Sequence, residues 1–236
     1  MNGLIALVGS GEYLPAMEDV DRRLLASLNL NGHKARVVCL PTAAGQEGDR
    51  SVNRWSGMGI SHFEKLGAEA RALRILDRDS ADAPQWDSTL EQADLIYFSG
   101  GDPGYLYETM NGSRAWNAAQ RAWERGAVYA GCSAGAMILA KRIPRFRLSQ
   151  TQTGFGILPA EFIIPHFDAI PAVFKPLTLA LRSQLKDGER MIGVDEETAL
   201  VGALGGEWKV MGKSKVHVYT RKGEQTFESG QALTLD

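Results

Sequence analysis

The chain has 236 residues, of which 44% are hydrophobic and 23% are charged, and its formal net charge is −2. This balance is typical of a globular protein with a full core and excludes the disordered and fibrous classes, while the length fits one α/β domain over residues 1–236. Because the chain has no basic excess to attract a polyanion, we expect a small molecule as its partner, and neither nucleic acid nor a membrane.

The N-terminal segment predicts a β–α unit. Residues 4–8 are an apolar run closed by Gly-Ser-Gly, and residues 16–30 carry apolar side chains at helical spacing. The segment lacks the basic residues and the cleavage site of a secretion signal, so we interpret it as the first core strand. No apolar run in the sequence approaches the ~20 residues that span a bilayer.

Strands and helices then alternate up to residue 130. Short apolar runs of the buried type predict strands over residues 36–40, 70–76, 94–98 and 127–130. Apolar residues at helical spacing predict helices over residues 51–66 and 114–125. This alternation predicts an α/β fold with a mostly parallel sheet and helices on both faces.

The second half follows a different pattern. Residues 141–156 are basic and loop-like, residues 162–165 form an apolar strand, and residues 171–185 have helical spacing. Later short strands are separated by Gly, Glu and Lys turns, over residues 191–194, 198–202, 208–212, 215–220 and 232–235. We expect these to be antiparallel strands at the C-terminal end that extend the edge of the sheet.

The pentapeptide Gly-Cys-Ser-Ala-Gly at residues 131–135 matches the nucleophile-elbow pattern G-x-S-x-G, between a predicted strand and a predicted helix. Glycines relieve crowding on so sharp a turn, which lifts the Ser133 hydroxyl above the carboxyl ends of the strands. The amide end of the following helix favours an anionic intermediate at the same place. From the pentapeptide alone, the alternative interpretation is a tight turn packed with small residues.

A glycine-rich loop, Ser-Gly-Gly-Asp-Pro-Gly at residues 99–104, ends the preceding strand. Its backbone amides could approach the nucleophile and complete an oxyanion hole with the Ala134 N–H. We predict Asp102, directly after the two glycines, as a substrate-binding residue. A lone Gly-Gly loop would more often be an ordinary turn.

The two cysteines, Cys39 and Cys132, cannot form a disulfide framework and lack metal-ligand spacing. We therefore expect a reducing, cytoplasmic compartment, no metal site and no cofactor. Cys132 is the competing nucleophile, but the exposed position of this turn is its middle residue, Ser133. We interpret Cys132 as a buried packing residue.

His166 is the predicted base, because it follows an apolar strand and so lies at a carboxyl end, where open α/β sheets gather their active sites. A lone histidine there would more often be structural. The elbow serine makes His166 the best candidate for a paired base. We interpret the other histidines as surface or core residues, namely His33, His62 and His217.

Five segments together resemble the peptidase E and cyanophycinase family of serine peptidases: VGSGE, SGGDPGYL, GCSAGAM, IPHF and IGVDEETALV, in this order. The resemblance runs from residue 3 to residue 201. It implies a flavodoxin-like fold similar to that of class I glutamine amidotransferases. It also implies a serine-type peptidase that hydrolyses short peptides by an acyl-enzyme mechanism, in which Ser133 attacks, His166 is base and then acid, and the amides of Gly101 and Ala134 hold the oxyanion.

Glu196 is the predicted acid of the triad. Peptidase E takes its acid from between the serine and the histidine, where this chain has only Glu161, whereas cyanophycinase-like sequences resemble it around Glu196. Glu196 follows an apolar run and so can also lie at a strand end beside His166. The alternative is that residues 195–197 are a solvated turn and that Asp168 orients the ring, as in the amidotransferase His-x-Glu pattern.

The sequence does not predict aspartate specificity. Family members that cleave next to aspartate carry arginines shortly after the histidine, whereas the first arginine after His166 here is Arg182. A basic cluster could bind a substrate carboxylate, although we favour a solvated loop. The cluster comprises Lys141, Arg142, Arg145 and Arg147.

Two other functions are alternatives. An esterase or amidase of the α/β-hydrolase type shares G-x-S-x-G, but it carries its acid before its histidine and uses an HGGG-like loop that this chain lacks. A non-catalytic amidotransferase-like binding domain would keep the pocket without a reactive serine. The sequence permits a homodimer and does not indicate the preferred peptide length.

Overall fold

The structure, a computed structural model, describes residues 2–145, 150–171, 173 and 175–235. Across its largest sheet, the eight strands are β14 (Ala232–Thr234), β11 (Glu207–Gly212), β10 (Thr198–Gly202), β1 (Ile5–Val8), β5 (Val128–Cys132), β4 (Leu95–Phe98), β2 (Arg36–Leu40) and β3 (Glu69–Ala72). The strands from β1 to β3 in this order are parallel, and β10, β11 and β14 are added antiparallel beside β1. The carboxyl ends of β1, β5 and β4 therefore lie side by side.

Helices cover both faces of this sheet. They are α1 (Glu18–Ala26), α2 (Asp49–Lys65), α3 (Arg78–Ala81), α4 (Asp87–Glu91), α5 (Pro103–Met110) and α6 (Arg114–Glu124). Successive strand residues face opposite sides, so Leu7 packs in one apolar cluster with Trp116 of α6, and Val8 packs in another with Leu24 of α1. This arrangement confirms the predicted α/β class with a mostly parallel sheet.

A second sheet of four strands contains part of the C-terminal segment. Its order is β13 (Gly223–Glu228), β12 (Lys215–Thr220), β9 (Arg190–Val194) and β8 (Phe162–Ile164), and α8 (Lys175–Ser183) packs against it through Leu181. Strands β8 and β9 are parallel, and the other pairs are antiparallel. We expected the late strands to extend the main sheet, which is correct for β10, β11 and β14 and wrong for β9 and β12. A local apolar pattern marks a buried strand without identifying its neighbour.

Several short elements were not predicted. The loop expected over residues 141–156 is partly wrong, because a two-stranded antiparallel hairpin occupies it, β6 (Arg142–Arg145) and β7 (Gln150–Thr153). The residues of β7 are all polar, and β6 has Ile143 and Pro144 side by side between two arginines, so neither strand shows apolar alternation. Helices α3, α4 and α5 have only four, five and eight residues, too few for a clear helical period. None of the helices in the described ranges has the length and hydropathy to cross a bilayer.

Candidate active site

Ser133 lies on a tight turn between β5 and the one-turn helix α7 (Ala134–Met137). Its φ of +49° and ψ of −106° are a combination that residues with a side chain rarely adopt. The neighbouring glycines allow the backbone to pack this closely. A Cβ at Gly131 would lie 2.4 Å from the Gly135 carbonyl, and a Cβ at Gly135 would lie 2.5 Å from the Phe98 carbonyl oxygen. The expected strand–turn–helix context is therefore present, with a helix of four residues.

The histidine and the glutamate come from the second sheet. His166 follows β8 and Glu196 follows β9, and these parallel neighbours end side by side. His166 Nε2 lies 3.2 Å from Ser133 Oγ, and His166 Nδ1 lies 2.8 Å from Glu196 Oε1. We expected one parallel sheet to carry both the serine and the histidine, and this is wrong. The structure instead brings the three residues together where the ends of two different sheets meet.

The two other acids considered for the triad have different partners. Asp168 Oδ1 accepts a hydrogen bond of 2.8 Å from the Glu196 backbone N–H. Glu161 precedes β8, at the opposite end of that strand from His166, and is buried in an ion pair with Arg142. In the part of the chain that the structure describes, neither acid bonds the His166 ring. Asp168 instead anchors the backbone of the glutamate that does.

The loop after β4 leaves one amide without an acceptor. The N–H groups of Ser99 and Asp102 donate to the carbonyl oxygens of Leu40 and Ala43, at 3.2 and 2.9 Å. The Gly100 N–H donates to the Glu12 carboxylate at 2.9 Å.

Among the described residues, neither the Gly101 N–H nor the Ala134 N–H has a protein acceptor. Gly101 has a φ of +143°, and a Cβ there would lie 2.4 Å from the Ala43 backbone, so only glycine fits this position. Two free amides on the loops beside Ser133 are what an oxyanion hole requires.

Cys132 is buried behind the turn. Its thiol donates a hydrogen bond of 2.8 Å to Glu12 Oε2. Burial, reinforced by the neighbouring Glu12, raises the pKa of the Cys132 thiol well above its ordinary value. Because the thiolate is the reactive form, this environment disfavours Cys132 as a nucleophile.

Asp102 and the basic cluster have structural partners. Asp102 is exposed, and its Oδ1 caps α5 by accepting the Tyr105 N–H at 2.9 Å, while Pro103 occupies the first helical position.

In the basic cluster, Arg142 pairs with Glu161 and lies over the Phe162 ring. Arg145 Nη1 lies 3.2 Å from Gln152 Oε1 and 3.6 Å from Glu108 Oε1. Lys141 is exposed, and Arg147 lies outside the described residues.

A cavity of about 380 Å³ opens beside the triad. Its lining is mostly apolar and comprises Pro103, Met137, Ile164, Pro165, Ala169, Ile170 and Pro171, together with the three triad residues. Glu196 is the one side chain with a formal negative charge among these described lining residues, and none carries a lysine or arginine charge. The apolar lining was not predicted, because its members come from four separate segments.

Comparisons with known proteins identify similar structures and relatives. A crystal structure of a peptidase from an acI-B1 Actinobacterium is 38% identical, with a TM-score of 0.88 over 99% of this chain and 97% of that one. A candidate peptidase E protein from Listeria monocytogenes EGD-e is 18% identical and has a TM-score of 0.61 over 97% of this chain and 99% of that one, which shows a shared fold.

Two curated relatives are cyanophycinases, from Nostoc sp. strain PCC 7120 and from Trichormus variabilis. Each is 25% identical in an alignment 196 residues long, which covers 78% of this chain and 63% of the relative, so the match leaves over a third of each relative uncovered. The model of peptidase family S51 matches residues 4–205, and the resemblance to the peptidase E and cyanophycinase family is thereby confirmed. This chain belongs to peptidase family S51.

Proposed function

We propose that this protein is a serine-type peptidase that hydrolyses short peptides through an acyl-enzyme intermediate. The observation that carries the proposal is the continuous line of hydrogen bonds from Ser133 Oγ through the His166 ring to Glu196 Oε1. A nucleophile, a base and an orienting acid in this order are what activates a hydroxyl for acyl transfer.

The geometry supports the following sequence of steps. His166 Nε2 takes the proton of Ser133 Oγ as the oxygen attacks the amide carbonyl, while Glu196 accepts the Nδ1–H and stabilises the imidazolium. The N–H groups of Gly101 and Ala134 bind the oxyanion of the tetrahedral intermediate. His166 then gives its proton to the leaving amine, and a water activated by the same ring hydrolyses the acyl-enzyme.

The cavity beside Ser133 supports a preference for apolar over acidic side chains next to the scissile bond. Burial of a substrate carboxylate is costly unless a cation or several hydrogen-bond donors compensate, and the described lining offers mostly apolar groups and the negative charge of Glu196. Arg142 is paired with Glu161, which supports the structural interpretation of that part of the basic cluster. We therefore propose an uncharged, apolar side chain at this position of the substrate.

The esterase alternative has less support. In the α/β-hydrolase order the acid precedes the histidine, whereas Glu196 follows His166 by 30 residues and is the acid that bonds its ring. A homodimer, a cytoplasmic location and substrate contact by Asp102 stay predictions.

Ser133→Ala tests the proposal directly. The wild-type protein and the variant are treated with a fluorophosphonate and assayed on dipeptides and tripeptides that vary apolar, acidic and basic side chains at each position. We expect covalent labelling of Ser133 and a loss of at least ~10⁴-fold in kcat/KM for Ser133→Ala. Cys132→Ala should keep at least about a tenth of the wild-type activity.

Other outcomes would point elsewhere. Loss of activity in Cys132→Ala with retention in Ser133→Ala would move the chemistry to the thiol. A folded wild-type protein that takes up no fluorophosphonate would be a non-catalytic domain, and one that cleaves esters but no peptide would be an esterase.

A further inference from the structure

Glu12 is a buried carboxylate beside the candidate active site that the proposed mechanism does not use. It lies on the loop after β1, and 6% of its surface is exposed. Within the described ranges, both of its hydrogen-bond partners are uncharged, a backbone N–H and a thiol. Burial of a carboxylate without a cationic partner is costly, so its position indicates a specific role.

The two oxygens of Glu12 reach two different strand ends. Oε1 accepts the N–H of Gly100, which follows β4, at 2.9 Å. Oε2 accepts the S–H of Cys132, the last residue of β5, at 2.8 Å. Glu12 itself follows β1, so one side chain joins the carboxyl ends of three neighbouring strands.

Each of these contacts lies close in sequence to a free amide of the candidate oxyanion hole. Gly100 precedes Gly101 directly, and Cys132 lies two residues before Ala134. The packing between them is tight, since a Cβ at Gly100 would lie 3.1 Å from Glu12 Oε1 and 3.4 Å from Ser133 Cβ. The carboxylate therefore fixes both loops near the points where they present an N–H.

We propose that Glu12 is a positioning residue that clamps the Gly100–Gly101 loop to the nucleophile turn and so sets the separation of the two oxyanion donors. As a role in catalysis, this rests on the peptidase function proposed above. A carboxylate suits the role because both of its oxygens accept hydrogen bonds. A glutamine would keep one acceptor and turn an NH₂ donor toward the Cys132 thiol, whose S–H is also a donor.

The clamp should act on the transition state more than on bound substrate. Oxyanion donors must lie about 2.7–3.1 Å from the oxygen as it becomes charged, and removal of one donor costs about 10²–10³ in kcat. Glu12→Ala releases both loops, so we expect kcat to fall by about 10² while KM changes by less than about threefold. Glu12→Gln retains one contact and should lose about tenfold.

The kinetic test compares these variants with Glu161→Gln, a glutamate of matched burial at the far end of β8. Rates are expressed per active site after fluorophosphonate titration, so that a poorly folded fraction does not lower them. The Ki of a peptide trifluoromethyl ketone, which forms a tetrahedral adduct, should rise in proportion to the loss of kcat/KM. A merely structural role would lower the melting temperature and the titrated fraction, and would leave kcat per site and this Ki unchanged.

Amide hydrogen exchange at Gly100 tests the clamp without turnover. We expect exchange at Gly100 to be at least about tenfold faster in Glu12→Ala, because the acceptor of this N–H is lost. Exchange should stay close to the wild-type rate in Glu161→Gln and in Glu12→Gln, whose remaining amide oxygen still accepts the Gly100 N–H. Unchanged exchange at Gly100 in Glu12→Ala, or an unchanged kcat per site in Glu12→Ala when the wild-type protein is an active peptidase, would overturn the proposal. If the wild-type protein cleaves no peptide, the proposed function fails, and the exchange result alone decides whether Glu12 holds the two loops.

Discussion

The serine side and the histidine side of the candidate site are built differently. Ser133 ends a central strand of the eight-stranded sheet, and contacts between backbone atoms fix its turn. His166 and Glu196 follow strands of the four-stranded sheet, and 43% and 44% of their side-chain surfaces are exposed. The candidate nucleophile is thus held by a turn packed against the core, whereas the side chains of the candidate base and acid bond to each other.

This difference separates the expected effects of substitution. Changes on the histidine side should alter turnover and leave folding intact, because half-exposed side chains contribute little buried area. Changes on the serine side should alter stability, because backbone packed against backbone cannot move aside.

The largest expected effect is in Glu196→Gln. Loss of the acid that orients the histidine should lower kcat by about 10⁴, because the neutral amide no longer stabilises the imidazolium or selects the correct tautomer. Asp168→Asn should lose only about tenfold, because Asp168 bonds the Glu196 backbone and not the ring. Both variants should melt within a few degrees of wild type by circular dichroism. A greater loss in Asp168→Asn than in Glu196→Gln would make Asp168 the orienting acid.

Matched glycine substitutions on the two sheets should give the next largest effect. A Cβ at Gly131 would lie 2.4 Å from the Gly135 backbone, whereas a Cβ at Gly193 of β9 would lie 2.6 Å from the Phe167 ring, a side chain that can shift. We expect Gly131→Ala to lose about 3 kcal/mol or more and Gly193→Ala about 1 kcal/mol in urea unfolding. Equal losses at the two positions would show that the serine turn is no more rigid than the second sheet.

The smallest expected effect is a loss of stability at alkaline pH that comes from the serine side. Burial raises the pKa of the Cys39 thiol to about 12 and that of Cys132 well above the ordinary value. A cysteine thiol in the unfolded chain loses its proton near pH ~8.5. Since the folded thiol keeps its proton, this contribution to stability is complete below that pH and is lost as the pH rises toward the folded pKa.

Each buried thiol should therefore lower the free energy of unfolding by at most about 1.4 kcal/mol per pH unit above pH ~8.5. Urea unfolding between pH 7.5 and 9.5 measures the slope, and Cys39→Ala should reduce it by about half. An identical slope in wild type and Cys39→Ala would mean that this thiol is not protected.

The main sheet could be predicted from the sequence because its strands are short apolar runs between helices. The predicted strands over residues 36–40 and 94–98 match β2 (Arg36–Leu40) and β4 (Leu95–Phe98) to within one residue. The second sheet could not be assigned, since β8 and β9 look locally like any buried strand and their pairing depends on distant residues. The start of helix α5 has a recognisable signal in the sequence, a capping Asp102 followed by Pro103, but it lies within a glycine-rich stretch that is typical of a loop.

The residues of the candidate site could be predicted where a reactive side chain lies within a recognisable sequence motif. Ser133, His166 and Glu196 were named from strand ends and from the family resemblance, and the structure brings them within hydrogen-bond distance. Glu12 was not named, although it lies within the VGSGE segment, because sequence alone does not show that a loop glutamate is buried. Its partners lie 88 and 120 residues away in the chain.

The positive backbone angles at the site have a consequence for engineering. Ser133 and His166 each have a φ of +49°, and Glu197, next to the acid, has a φ of +51°. Each such residue costs on the order of 1 kcal/mol, within a total stability of about 5–15 kcal/mol for a typical domain. A screen for heat resistance alone would tend to select glycine or asparagine at these positions. Substitution of Ser133 or His166 would give proteins that are more thermostable but inactive. Selection of variants of this protein for thermostability therefore needs an activity assay as well.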